Sequence, residues 1–178
     1  CLPADGVSLE DKRTVTQLLL KAGADIHQLN TVRKHISKIK GGRLLEATWP
    51  GKVINVIISD VIDNNISNIA SGPAWYDPST YRGAREALNK LVLISVVPVS
   101  VRNALEEGMA GLRRETLKED NKILNNSRAF IIGDNLKALY AAKAEVRASG
   151  LQTVILTSSD AGEARQVASS YIEKIRNQ

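Results

Sequence analysis

Residues 52–60, Lys52-Val53-Ile54-Asn55-Val56-Ile57-Ile58-Ser59-Asp60, constrain the fold of this chain more than any other stretch. The run is almost continuously apolar and β-branched, and it lacks the polar alternation of a half-solvated strand. Strands that read this way are buried on both faces, typically in parallel sheets. Two further segments share the character: 127–132, which ends in Gly133-Asp134-Asn135, and 153–156, which ends in Thr157-Ser158-Ser159. Helical patterns separate them. Strands alternating with helices predict a three-layer α/β/α, Rossmann-like domain with a mostly parallel sheet.

The helical patterns are specific. Ser8 followed by Asp11 predicts a capped helix over 9–22, with Gly23 as its stop. Asp25 caps a second helix, in which Ile26, Leu29, Val32, Ile36 and Ile39 form one buried stripe, Asn30, Arg33 and Ser37 an adjacent polar one, and Lys34 and Lys38 face solvent. Gly41-Gly42 ends it, and residues 43–47 make another turn. A helix is expected from Asp77-Pro78-Ser79 to about residue 90, one over 100–107, one over 136–148 and one over 162–175. Residues 109–126 read as an exposed connection. Residues 91–97 look locally like a strand, but Pro98 follows at once.

Composition narrows the function. The chain has 178 residues, enough for a sizeable core, and no apolar run near the ~20 residues of a membrane span. One cysteine, Cys1, excludes an intrachain disulfide, and with no signal-peptide pattern a reducing cytoplasm is the default. The net charge of +5 is moderate, and aromatics make up only 4%, so a nucleic-acid surface with stacking platforms is disfavoured. Positive charge concentrates in residues 30–43, where Arg33, Lys34, Lys38, Lys40 and Arg43 flank a helix end and a glycine pair. That is the composition of an anion site. The polar strand ends, Ser59-Asp60 among them, supply hydroxyls, carboxylates and helix N-terminal amides. Asn135 and Ser159 can equally be plain helix caps. Asp60 can hold a divalent cation or orient a hydroxyl, or bond its own loop. No Walker A, dinucleotide, H-E-x-x-H or nucleophile-elbow motif is present. His27 and His35 lack a third metal ligand and read as structural or surface residues.

Several motifs together carry a family resemblance. Asn30-Thr31-Val32-Arg33-Lys34-His35, Ser37 and Lys40-Gly41-Gly42-Arg43-Leu44 are joined by Ile57-Ile58-Ser59-Asp60-Val61, Ile69-Ala70-Ser71-Gly72-Pro73, Asp77-Pro78-Ser79-Thr80 and Gly133-Asp134-Asn135. In this order they resemble the glycerate kinase family that carries a C-terminal MOFRL domain. The resemblance implies phosphoryl transfer from ATP to D-glycerate, usually at the 2-hydroxyl, with Mg2+. It implies that residues 1–178 form one α/β segment, the C-terminal half of the large domain, without the MOFRL domain and unable to complete a catalytic site alone. D-glycerate and ATP are the expected partners, with neither nucleic acid nor membrane, and a homodimer is left open. Asp60, Arg33 and Lys40 are the candidate catalytic residues, with Asp60 also the metal ligand. Asn30, Lys34, Ser37, Gly41, Gly42, Ser59, Ser71, Gly72 and Asn135 are the candidate binding residues. The family's Gly-Asp pair after Ser59-Asp60-Val61 is replaced by Asp63-Asn64, and its Thr after Ser-Gly-Pro by Ala74. The resemblance also makes 91–97 a helix end and loop. A nicotinamide-dependent hydroxypyruvate reductase and a non-catalytic anion- or nucleic-acid-binding module are the alternative readings.

Overall fold

The computed structural model describes residues 2–160 and 162–176. In chain order it has α1 (Leu9–Lys21), α2 (Ile26–His35), α3 (Arg43–Thr48), β1 (Val53–Ser59), α4 (Tyr81–Lys90), α5 (Val99–Met109), β2 (Ser127–Asp134), α6 (Asn135–Ala148) and α7 (Ala164–Arg176), with 3-10 turns at Ile69–Ser71 and Lys122–Asn126. β1 and β2 pair in a parallel two-stranded sheet, and the fold class is α/β. The chain groups into two compact units. The first comprises residues up to Val56 together with Ile66–Phe130. The second comprises Ile57–Asn65 and the residues from Ile131 on.

The first unit is a helical core. α2 packs on α4, α4 on α5, and α1 on both α2 and α5. Val15 and Leu19 of α1, Val32 of α2, Leu88 of α4 and Val101 and Leu105 of α5 are fully buried there. Capping boxes at Ser8–Asp11 and Asp25–Gln28 fix the starts of α1 and α2, since side chain and backbone satisfy each other reciprocally. A smaller cluster joins Leu45, Ala74 and Leu117. The second unit carries the ends of both strands, α6 and α7.

Several expectations are corrected. α2 ends at His35 instead of reaching Gly41, because Ser37 makes an antiparallel bridge to Pro3 and its hydroxyl takes the amides of Ile39 and Lys40. The buried stripe accordingly loses both ends: Ile26 is exposed and Ile39 half-buried. α4 starts at Tyr81 with Thr80 as its cap, because the Asp77 side chain is taken up by Lys34 and Ser79. α5 runs through Gly108, where the Tyr81 ring lies so close that a Cβ would meet it at 2.3 Å. Residues 91–97 form turns, as the family resemblance implied. Residues 109–126 are not an exposed connection, since Thr116 and Leu117 are buried. Residues 153–156 are not paired into a strand; a strand needs a hydrogen-bonded neighbour, and the described sheet has two members. Nor is β1 buried on both faces: Ile54, Val56 and Ile58 are 70%, 64% and 79% exposed.

Candidate functional site

In the first unit three motifs, far apart in sequence, meet. Asn30 on α2, Lys40 in the turn beyond it and Ser71 in the 3-10 turn are all buried. The Ser71 hydroxyl donates to Asn30 Oδ1 at 2.9 Å, and Lys40 Nζ donates to Ser71 Oγ at 3.1 Å and to the Ala70 carbonyl at 2.8 Å. These bonds hold a strained backbone. Ala70, Ser71 and Gly72 are successive left-handed residues, with φ of 51°, 65° and 55°. For the two non-glycines that conformation costs about 1–2 kcal/mol each, and such strain persists only where the surroundings over-determine it.

The glycine pair has a definite job. Gly41 and Gly42 have φ of 62° and 79°, and their amides donate to the Ser71 and Gly72 carbonyls at 3.0 and 2.7 Å. A Cβ on Gly41 would meet Thr116 Cγ2 at 2.8 Å, and one on Gly42 would meet Leu117 Cβ at 2.2 Å. The Gly41 carbonyl accepts from Leu117 N at 3.0 Å. The pair is therefore a seam between the 69–73 loop and the 115–118 segment, and its amides are already engaged. Neither amide is left over to contact an anion.

Behind the seam runs a line of paired charges. Lys34, expected to face solvent, is buried with its Nζ 3.0 Å from Asp77 Oδ1. Burial alone pushes the Asp77 carboxyl up, but the Lys34 ammonium and two bonds from Ser79 outweigh it and hold it below the usual range. Lys118 Nζ reaches the Asp77 carbonyl, Thr116 Oγ1 and the Ser79 carbonyl. His35 is fully buried and structural, bonded to the Thr31 carbonyl and to Glu115 Oε1 at 2.8 Å, with its ring edge-on to Tyr81. Burial raises the Glu115 carboxyl, yet the His35 bond and charge and the amides of Thr116 and Tyr81 bring it down to about 2. Ser37 closes the turn after α2 and donates to the Leu2 carbonyl at 3.3 Å.

Arg33 makes no ion pair or side-chain hydrogen bond among the described residues. It lines a cavity of about 270 Å³ with Lys12, Arg13, Thr16 and Lys40. Burial, and repulsion from Arg33 and Lys34, lower the Lys40 pKa to about 8. Lys40 thus joins the motif cluster to this cavity. It can present a cation to an anionic ligand or, near neutral pH, exchange a proton.

The second unit holds the other candidates. Asp60 is exposed just past β1; its carbonyl accepts from Asn135 Nδ2 at 3.3 Å. Buried Ser59 receives the Val61 amide at 3.2 Å. Asn135 does not cap α6. Asp134 does, accepting the Lys137 amide at 2.8 Å. Nor does Ser159 cap α7, which begins at Ala164; its amide bonds Thr157 Oγ1. At the Asp63-Asn64 departure the left-handed residue is Asn64, with φ 51°, a residue type that tolerates it, and Asn64 Nδ2 donates to Asp134 Oδ2. Ala74 packs in the first unit with Leu45 and Leu117.

Lys12, Asp77 and Lys118 were absent from the sequence-derived candidates. Lys12 had a signal: at spacing 12, 15, 19 it shares the buried face of Val15 and Leu19. Leu117, alone in a charged run, was a weak pointer to Lys118. Asp77 had none.

The sequence model of DUF4147, a domain of unknown function, matches residues 1–106. The chain belongs to this family. Its relatives include a glycerate 2-kinase of Pyrococcus horikoshii, 45% identical over 92% of this chain and 36% of that protein. A D-glycerate 2-kinase of Thermotoga maritima is 38% identical over 98% of the chain and 38% of its own length. A protein of Agrobacterium vitis named putative hydroxypyruvate reductase is 39% identical over 95% of the chain and 41% of its own length. The crystal structure of the Thermotoga maritima glycerate kinase superposes with a TM-score of 0.70, covering 87% of this chain and 34% of that one. The chain thus spans about a third to two fifths of the length of the curated relatives it matches.

Proposed function

We propose that this chain is part of an ATP-dependent kinase that phosphorylates D-glycerate, at the 2-hydroxyl, and that it supplies an anion-binding wall of the catalytic cleft. The observation that carries the reading is the convergence of the Asn30, Lys40 and Ser71 motifs into one buried, hydrogen-bonded cluster beside Arg33, which has no ion pair among the described residues. Descent shared with proteins named glycerate kinase supports it.

Phosphoryl transfer asks the protein for positioning and charge neutralisation more than for covalent chemistry. Arg33 offers a planar fork matched to a carboxylate or a phosphate. Lys40, anchored on Ala70 and Ser71, is a fixed point charge. Asn30 orients Ser71, and Lys34 acts through Asp77 to hold the floor of the site.

Among the described residues no group of three acidic, histidine or cysteine side chains could enclose a metal. Mg2+ at nucleotide sites needs no such group, taking one or two carboxylates and completing its shell with water and phosphate oxygens. Exposed Asp60 fits that sparse donor role. When bound, Mg2+ would neutralise phosphate charge.

The test is an assay of the full-length protein with ATP and D-glycerate, with product position read by NMR. Phosphate on the 2-hydroxyl is the expected result, and Arg33→Ala should lower kcat/KM at least about tenfold, the scale of one lost charged hydrogen bond. Unchanged KM and kcat in Arg33→Ala would remove Arg33 from the site. The Agrobacterium vitis relative's name raises a reductase, but no dinucleotide fingerprint is present. NADH oxidation dependent on hydroxypyruvate, without ATP turnover, would favour it instead.

A further inference from the structure

Lys12 sits in the first turn of α1 and is 93% buried, with only 7% of its surface exposed. Its Nζ is sealed from solvent and has no hydrogen-bond partner among the described residues. Elsewhere in this unit the chain matches its cations with acids: Lys34 meets Asp77, Arg85 meets Glu106 and Arg113 meets Glu107. Around Lys12 it does the opposite. The cavity that Lys12 lines is shared with Arg13, Arg33 and Lys40, and among the described residues no acidic side chain lines it. Neither Arg13 nor Arg33 has an ion pair among the described residues. Burial and the like charges of Lys40 and Arg33 push the Lys12 pKa down to about 8. A buried ammonium is ordinarily paired, because desolvation without an acceptor is costly. Among the described residues none supplies the acceptor that Lys12 lacks.

The size and lining of the cavity define the anion it suits. At about 270 Å³ it lies just below the range of drug-sized ligand sites, about 300 to 1,000 Å³, which suits only a small ligand. It has no aromatic wall on which a base could stack. Four cations are more than one carboxylate balances, and two of them are guanidinium forks suited to bidentate oxyanion contacts. We infer that this cavity binds a small phosphate-bearing anion, inorganic phosphate or the phosphate of a small phosphorylated hydroxy acid, with Lys12 as its buried anchoring cation. The identity of the organic ligand rests on the kinase reading; the binding of phosphate does not.

The experiment is calorimetric titration of the full-length protein with inorganic phosphate, 2-phosphoglycerate, D-glycerate and ATP, for the wild type, Lys12→Met, Lys12→Arg and Arg13→Gln. The wild type should bind phosphate or 2-phosphoglycerate at least about tenfold more tightly than glycerate. Lys12→Met should weaken that binding at least about tenfold, the effect of one charged hydrogen bond, whereas Lys12→Arg should retain it. Without anion, Lys12→Met should melt no lower than the wild type, because it removes an unpaired buried charge; a packing role would lower its Tm. Arg13→Gln, at an exposed position, carries the test should Lys12→Met fold poorly, and should weaken phosphate binding about threefold or more. Equal phosphate affinity in the wild type and in all three variants overturns the site. Lys12-dependent binding of ATP alone overturns the small-anion assignment. Kinase activity without Lys12-dependent phosphate binding sinks this inference and leaves the kinase reading standing; Lys12-dependent binding without kinase activity does the reverse.

Discussion

At the residue scale, two left-handed glycines separate conformational strain from steric clash. Gly23 and Gly42 have nearly equal φ, 74° and 79°, but a Cβ on Gly23 meets nothing within 4 Å, whereas one on Gly42 collides with Leu117. Gly23→Ala should therefore cost about 1 kcal/mol, the left-handed penalty alone. Gly42→Ala should add the cost of overpacking, about 1–3 kcal/mol more, and chemical denaturation of both variants should show the gap. Ser71→Ala should cost about 1–3 kcal/mol, because it leaves the buried Asn30 Oδ1 without its donor. Asn64 shows how a residue type substitutes for glycine: it carries a left-handed bend, with φ 51°, that asparagine tolerates better than most side chains.

At the element scale, charge pairs join helices to loops that pattern alone cannot connect. Lys34 of α2 and Asp77 before α4 are 4% and 0% exposed as side chains. Asp77→Asn should destabilise by about 3–5 kcal/mol by stranding the ammonium, while the Lys34→Met, Asp77→Leu double variant should recover much of that loss. Urea unfolding of the single and double variants decides it. Glu115 ties the 115–118 segment to His35 on α2 and to the start of α4. Its folded pKa of about 2 lies below the ordinary value of 4.5, so the stability it confers is present above pH 4.5 and is lost as pH falls toward 2. Glu115→Gln should flatten the acid side of the stability profile across that window, as followed by circular dichroism.

At the scale of the molecule, the cationic cavity links proton and anion binding. Lys12 faces Lys40, Arg33 and Arg13, and both lysines have folded pKa values of about 8 against an ordinary 10.5. Between those limits the unfolded chain binds more protons, so these two groups make stability rise with pH across the window. The stability difference between the wild type and Lys12→Met should therefore shift in favour of the wild type from pH 8 to 10.5. Added phosphate should stabilise the wild type more at neutral pH than near pH 10, in thermal melts of matched samples. Among the described residues no helix is long and apolar enough to cross a membrane.

The sequence by itself determined the local grammar: the capping box at Ser8 and the cap at Asp25, strands within 52–60 and 127–132, and the α/β class. These depend on near neighbours and on periodicity, which a linear reading contains. Asn30, Lys40 and Ser71 also stand out in it by motif context, with no information on the contacts they make. Only the tertiary structure decided that Lys34 turns inward to Asp77, that Gly41 and Gly42 serve a backbone seam, and that residues 115–118 form one of its walls. Those outcomes depend on side chains 31 to 80 positions apart meeting in a low-dielectric interior, and helical period carries no information about such distances. Lys12 lies between the two: its place on the buried face of α1 was legible in the spacing, but the absence of an acid to meet it there could be seen only once the helices had packed.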